Sequence, residues 1–312
     1  MIKLHFRKRT ITLSIIVLAF ASILFVAQQA QAQGGLTKIA DNVYSYVDIK
    51  NGSPKNSYGA NAGIIIGTDG IIVIDTLISS KEAKRFIKDI RAVTDKPVKW
   101  VVNTHYHLDH AFGNAEFVKL GATVISHDIC RRNLKNRGEA ALKNAGNYGL
   151  TEEDMEGTEI SYPGITFPYR MELDTGNQIV QLIYPGPSHT DGSILVYLPE
   201  SRILFSGDIL FTDYHPFLAE GDIGKWIKVL DRIMTMDIRT IIPGHGPVSG
   251  KQDITDMKYY LLAFDKKAKE LAAISTDAKY ITDKIIKSLP WRPEGQGLVP
   301  ANIQMKYIKA KQ

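Results

Sequence analysis

The sequence has 312 residues, 44% of them hydrophobic and 23% charged, and a single cysteine. That length buries a large core as one big domain or two smaller ones, and one cysteine excludes any disulfide within the chain. The net charge of +5 is uneven: residues 1–33 hold four basic and no acidic side chains, leaving 34 basic against 33 acidic, or +1, in the rest. The basicity therefore belongs to the N-terminal segment and implies no nucleic-acid partner.

Lys3, Arg7, Lys8 and Arg9 precede the apolar run ITLSIIVLAFASILFVA, and Ala30 and Ala32 follow in an A-x-A arrangement. Basic, apolar, then small is the order of a secretory signal peptide. Residues 1–33 are expected to be a cleaved signal or, if uncleaved, an N-terminal membrane anchor. The protein is then periplasmic or secreted, touching a membrane only through that segment.

Next, NVYSYVDI reads as a strand, followed by a polar loop from Asn51 to Ala60. AGIIIGTDGIIVIDT reads as two strands joined by a Thr-Asp-Gly turn. Ser79 and Ser80 can cap a helix to about Thr94, with Ala83, Phe86, Ile87 and Ile90 at helical spacing. VKWVVNT lacks alternation and is expected to be a strand buried on both faces. After the histidine-rich loop, Asn114 opens a short helix, ATVIS is a strand, and a polar helical segment fills residues 127–147. Cys130, in VISHDIC, reads as a small buried hydrophobe. QIVQLIYP, SILVYLP and RILFSGD read as three strands, and DIGKWIKVLDRIM as an amphipathic helix. TIIPGHGPV is a strand ending in a Gly/Pro loop, and Asp253 to Leu289 is helical with a break near Ser275 to Asp277. Strands and helices interleave twice, which predicts an α/β four-layer arrangement, helices outside and two sheets inside.

Chemistry concentrates in VVNTHYHLDHAFGN, where His105, His107, Asp109 and His110 share one short loop. Four such side chains lose solvation and compete for protons unless a cation organises them. His105 and His107, two apart on extended backbone, point to one side. PGPSHTDGS, LFSGDILF and IPGHGP repeat the design, each presenting a ligand type from a Gly/Pro-rich loop where a strand ends. Alone, His189 or His245 would read as a hydrogen-bonded loop residue, and Asp208 as a cap or turn. Together, five of the eight histidines fall in just three loops.

These motifs closely resemble the metallo-β-lactamase superfamily over residues 36–250: H-x-H-x-D-H as HYHLDH, then VIDT with Asp75, PSHTDGS, SGD and PGHGP. The resemblance implies an αββα sandwich over residues 34–250, with residues 251–312 as a helical C-terminal extension packed on the same domain. It implies a binuclear site at one edge. His105, His107 and His189 would bind the first metal; Asp109, His110 and His245 the second; and Asp208 would bridge them. Asp75 would orient the His105–His110 loop. Mixed imidazole and carboxylate ligands suit two Zn2+ per chain, with Fe or Mn also compatible. Flavodiiron-type relatives have glutamate where this chain has His107, which favours zinc and hydrolysis. The implied reaction is attack by metal-activated water on an ester, thioester or lactam carbonyl of a small-molecule substrate, with Asp109 orienting the nucleophile.

The seven-ligand set is most similar to glyoxalase II and its thioester-cleaving relatives, although their thiol-binding residues find no match after Lys251. One lactamase subclass has Cys where this chain has Asp208, and the subclass with H-x-H-x-D-H usually lacks a bridging Asp. β-Lactam hydrolysis proper therefore stands as an alternative, and a catalytically silent metal-binding or interaction protein of the same fold as another. Tyr214 and His215, in TDYHPF, are candidate substrate contacts, as is the Asn51–Ala60 loop.

Overall fold

The computed structural model describes residues 35–47 and 59–308. The signal-like segment 1–33 and most of the Asn51–Ala60 loop lie outside the described residues. Two sheets face each other. One has seven strands in sequential order: β1 (Thr37–Ala40), β2 (Val43–Ser45), β3 (Gly63–Ile66), β4 (Ile71–Ile74), β5 (Val98–Val102), β6 (Thr123–His127) and β7 (Ile165–Phe167). The other runs β12 (Thr240–His245), β11 (Ile203–Phe211), β10 (Leu195–Leu198), β9 (Ile179–Ile183) and β8 (Arg170–Asp174).

Alternate residues of both sheets point into the space between them. Ile65, Ile72, Ile74, Val102 and Ile125 meet Val180, Leu182, Val196, Phe205 and Ile242 there. The opposite faces are covered by helices. α1 (Ser80–Val93) is capped by the Ser79 side chain and lays Ala83, Phe86 and Ile90 on the seven-stranded sheet. Two short helices, α2 (Leu108–Ala111) and α3 (Asn114–Val118), follow β5. α4 (Asp128–Lys143) follows β6, and α5 (Glu152–Met155) is a single capped turn. On the other sheet lie α6 (Ile223–Thr235), α7 (Lys251–Ile274), α8 (Ala278–Ile286) and α9 (Leu298–Asn302). Trp226, Leu230, Tyr260, Leu261 and Phe264 share one core with Leu204 and Phe211. The order is helix, sheet, sheet, helix. Fully burying each such side chain is worth about 1.5–3 kcal/mol. Among the described residues, no helix is long and apolar enough to cross a membrane.

Three sequence expectations need correction. β5 is not buried on both faces throughout, because Lys99 is exposed at the rim opposite the histidine loop, 3.9 Å from Asp69. Asp208 does not follow a strand end: β11 continues through it to Phe211, with register irregularities on either side of Gly207. Strands β1, β7 and β8 had no counterpart in the sequence reading. Cys130 is buried, and burial pushes its thiol up to about 12, which fits a packing role.

Candidate metal centre

β4 ends at Ile74, and Asp75 turns the chain with φ +57°. Its Oδ1 accepts the Thr104 amide at 2.7 Å, and its Oδ2 accepts the Thr104 hydroxyl at 2.7 Å and lies 2.9 Å from His110 Nδ1. β5 ends at Val102, and the Asn103 side chain trades hydrogen bonds with Asn114 at 2.9 and 2.8 Å, tying the loop to α3. His107 is the extended residue before α2, so Asp109 and His110 occupy that helix's first turn. His189 stands between β9 and β10, with Nδ1 3.1 Å from the Phe217 carbonyl. His245 closes β12.

Asp208 reaches the same point from inside a strand. Gly207, with φ +48°, lets β11 pass the Thr104 side chain, which an added Cβ would meet at 2.5 Å. A Cβ on Gly244 would come within 1.9 Å of Asp208 Oδ1, so β12 can approach the carboxylate only as glycine.

The seven side chains fall into two adjacent groups, His105–His107–His189–Asp208 and Asp109–His110–His245, each with ligand atoms within 4.8 Å of one another. His107 Nδ1 lies 3.1 Å from His105 Nε2 and 3.0 Å from His189 Nε2. Asp208 divides its oxygens. Oδ2 is 3.3 Å from His189 Nε2 and 3.7 Å from His105 Nε2. Oδ1 is 3.0 Å from His110 Nε2 and 3.3 Å from His245 Nε2. Asp109 Oδ2 lies 3.4 Å from His245 Nε2 and 3.6 Å from His110 Nε2. Despite the proximity, His110 Nε2 and Asp208 Oδ1 are both buried without a hydrogen-bond partner. Two buried polar atoms that face each other and stay unsatisfied fit a site built for a cation.

Charge states agree. Burial holds His105 well below its ordinary range and brings His189 down to about 3, so both present neutral lone pairs at neutral pH. His110 moves the other way: burial opposes its protonation, but Asp208, Asp109 and Asp75 together raise it well above the usual value. That direction records the demand of three carboxylates for positive charge, which a proton or a cation equally meets. Burial would raise Asp208, yet His245 and His110 hold it well below the carboxylate range.

Two supporting residues escaped the sequence reading. Asn61 donates its side-chain amide to the Pro243 and Gly246 carbonyls, both at 2.9 Å, clamping the turn that carries His245. Glu220 accepts the Tyr106 hydroxyl and faces His107 Nε2 at 3.4 Å. Of the proposed substrate contacts, Tyr214 sets its ring 4.7 Å from that of His245. The His215 ring is buried, with Nδ1 2.6 Å from the Tyr260 hydroxyl of α7.

A family profile described as the metallo-beta-lactamase superfamily matches residues 57–245, which contain both groups. The chain belongs to that superfamily. Within the matched region it carries the His and Asp clusters as candidate metal-binding groups. It is 27% identical to the 2,4-dinitroanisole O-demethylase subunit alpha of Nocardioides sp. (strain JS1661), over 58% of this chain and 51% of that protein. The chain thus spans about half the length of that relative. It is 25% identical to metallo-beta-lactamase type 2 of Elizabethkingia meningoseptica, over 67% of this chain and 78% of that protein. A solved metallo-beta-lactamase from Pontibacter korlensis shares the superfamily fold, with a TM-score of 0.58 and 22% identity over 73% of this chain and 98% of that one.

Proposed function

We propose that this protein is a binuclear zinc hydrolase, exported by residues 1–33 to the periplasm or beyond, that cleaves an ester, thioester or lactam carbonyl of a small molecule. The observation that carries this reading is Asp208, whose two oxygens are divided between the two groups of ligand atoms. His105, His107 and His189 would hold one cation, Asp109, His110 and His245 the other, and Asp208 both. Five imidazoles and two carboxylates suit zinc, with iron or manganese compatible. When bound, such a pair supplies Lewis acidity and lowers the pKa of a water from about 16 toward 7.

The chain's own residues do the rest. Asp75 and Thr104 fix the loop, so the imidazoles need no reorganisation during reaction. Asp109, the more exposed of the two carboxylates, would accept a hydrogen bond from the attacking water and orient it. Tyr214, beside His245, lines the approach to the carbonyl. Lactam hydrolysis proper draws support from the similarity to the Elizabethkingia meningoseptica enzyme.

The test is to purify the chain, count its metal, and assay chromogenic lactam, thioester, ester and phosphodiester substrates with and without chelator. Near two zinc per chain and chelator-sensitive turnover are expected. His107→Ala should cost more than the roughly 10–100-fold typical of a supporting residue, with the far-UV dichroism unchanged. Two metals without turnover on the whole panel would favour the silent metal-binding alternative.

A further inference from the structure

An imidazole that offers one nitrogen to a shared centre is held there by whatever engages its other nitrogen. His105, His110 and His189 turn Nε2 inward and engage Nδ1 with Thr104 Oγ1, Asp75 Oδ2 and the Phe217 carbonyl, at 3.1, 2.9 and 3.1 Å. His107 is reversed. Its Nδ1 faces His105 and His189, and its Nε2 points outward to Glu220 Oε2 at 3.4 Å. The Glu220 carboxylate is itself restrained. Tyr106 donates its hydroxyl to the same Oε2. Arg137, reaching over from α4, lies 3.0 Å from Oε1 and donates to the Tyr106 hydroxyl at 2.7 Å. The Glu220 side chain is 29% exposed and would otherwise have many rotamers to choose from.

We propose that Glu220 is a positioning residue for the first group: it accepts the Nε2–H of His107 and so fixes the ring with its Nδ1 lone pair toward His105, His189 and Asp208. Arg137 and Tyr106 hold the carboxylate in the one orientation that does this. Tyr106, between the two histidines of HYH, thus links the loop to a residue more than a hundred positions later. Glu220 touches neither the reacting atoms nor the inward nitrogens, and it acts only through His107. The assignment rests on the reading of the cluster as a metal centre.

The experiment titrates Zn2+ into the full chain against a chromophoric chelator, for the wild type and for Glu220→Gln, which keeps the size and removes the charge. The variant should bind one equivalent about tenfold or more weakly, with the other equivalent unchanged. In the wild type loaded with Zn2+, nitrogen-detected NMR of the histidine rings should show His107 protonated on Nε2, a readout that needs no substitution. A Glu220→Gln protein that melts earlier but binds both equivalents as tightly as the wild type would make Glu220 a plain ion-pair partner of Arg137 and overturn the proposal. So would a His107 ring protonated on Nδ1. Failure of the wild type itself to bind zinc overturns the parent reading and this one with it, whereas wild-type binding with an unaffected variant overturns this one alone.

Discussion

At the scale of single residues, Asp75 supports the centre more heavily than any other side chain outside the two groups. One carboxylate accepts the amide and hydroxyl of Thr104 and fixes Nδ1 of His110, from a left-handed backbone that aspartate and asparagine tolerate better than other side chains do. Asp75→Asn keeps that backbone and loses one accepting oxygen. It should weaken metal binding about 10–100-fold and lower stability by about 1–3 kcal/mol, read by chelator competition and by the urea midpoint. Unchanged values in both would remove Asp75 from its supporting role. The crowded histidines and Asp75 were legible in the sequence because each ends an apolar run, and the chain places such residues at one sheet edge. Glu220 and Asn61 were not. AEGD and GANAG carry no periodicity, and only the folded chain sets Glu220 beside Tyr106 and Asn61 beside Pro243.

Among the elements, α7 decides whether the C-terminal helices are an appendage or part of the fold's frame. Met257, Tyr260, Leu261 and Phe264 are fully buried against Leu204, Phe211 and Trp226, so α7 shares with α6 the cover of the five-stranded sheet on that side. Leu261→Ala should cost about 2–5 kcal/mol in one cooperative thermal transition. A separate minor transition for the C-terminal helices would show them to be independent. The strongly amphipathic helices and the all-apolar strands were readable from their patterns, since burying one stripe or two faces leaves a visible period. β7 and β8 were not. β8 is an edge strand whose Arg170, Glu172 and Asp174 are exposed, so its pattern mimics a loop. The helical tail from Leu298 to Ile308 is held by tertiary contacts such as Asn302 with Leu218 and Pro216, which no local signal announces.

For the whole molecule, buried histidines make stability depend on acid. Burial, helped by Arg292, holds His215 down at about 4, and burial brings His189 to about 3, against an ordinary value near 6.5. Both are neutral in the fold across the interval in which the unfolded chain takes up protons. The unfolded state therefore binds more protons, and stability falls as pH drops from 6.5 toward 4. His215 alone should account for about 3 kcal/mol of that loss. Denaturant midpoints from pH 7 to pH 4 in the presence of chelator should follow the slope, and His215→Gln should flatten it. A slope unchanged by that variant would assign the acid sensitivity elsewhere. The four-layer arrangement itself was legible, because two alternations of strands and helices leave few other ways to bury this many apolar faces.

Asp208 lies within β11 beyond the Ile203–Phe205 stretch paired with β10, where β12 runs alongside with Pro243 opposite Gly207 and His245 opposite Phe211. The carboxylate common to both halves thus has a floor that cannot shift without parting β11 from β12, the strand that carries His245. Movement when a guest enters or a product departs then falls to side chains outside this strand pair rather than to the carboxylate itself. Variation among relatives in what they accept has room to accumulate there while the floor stays as it is.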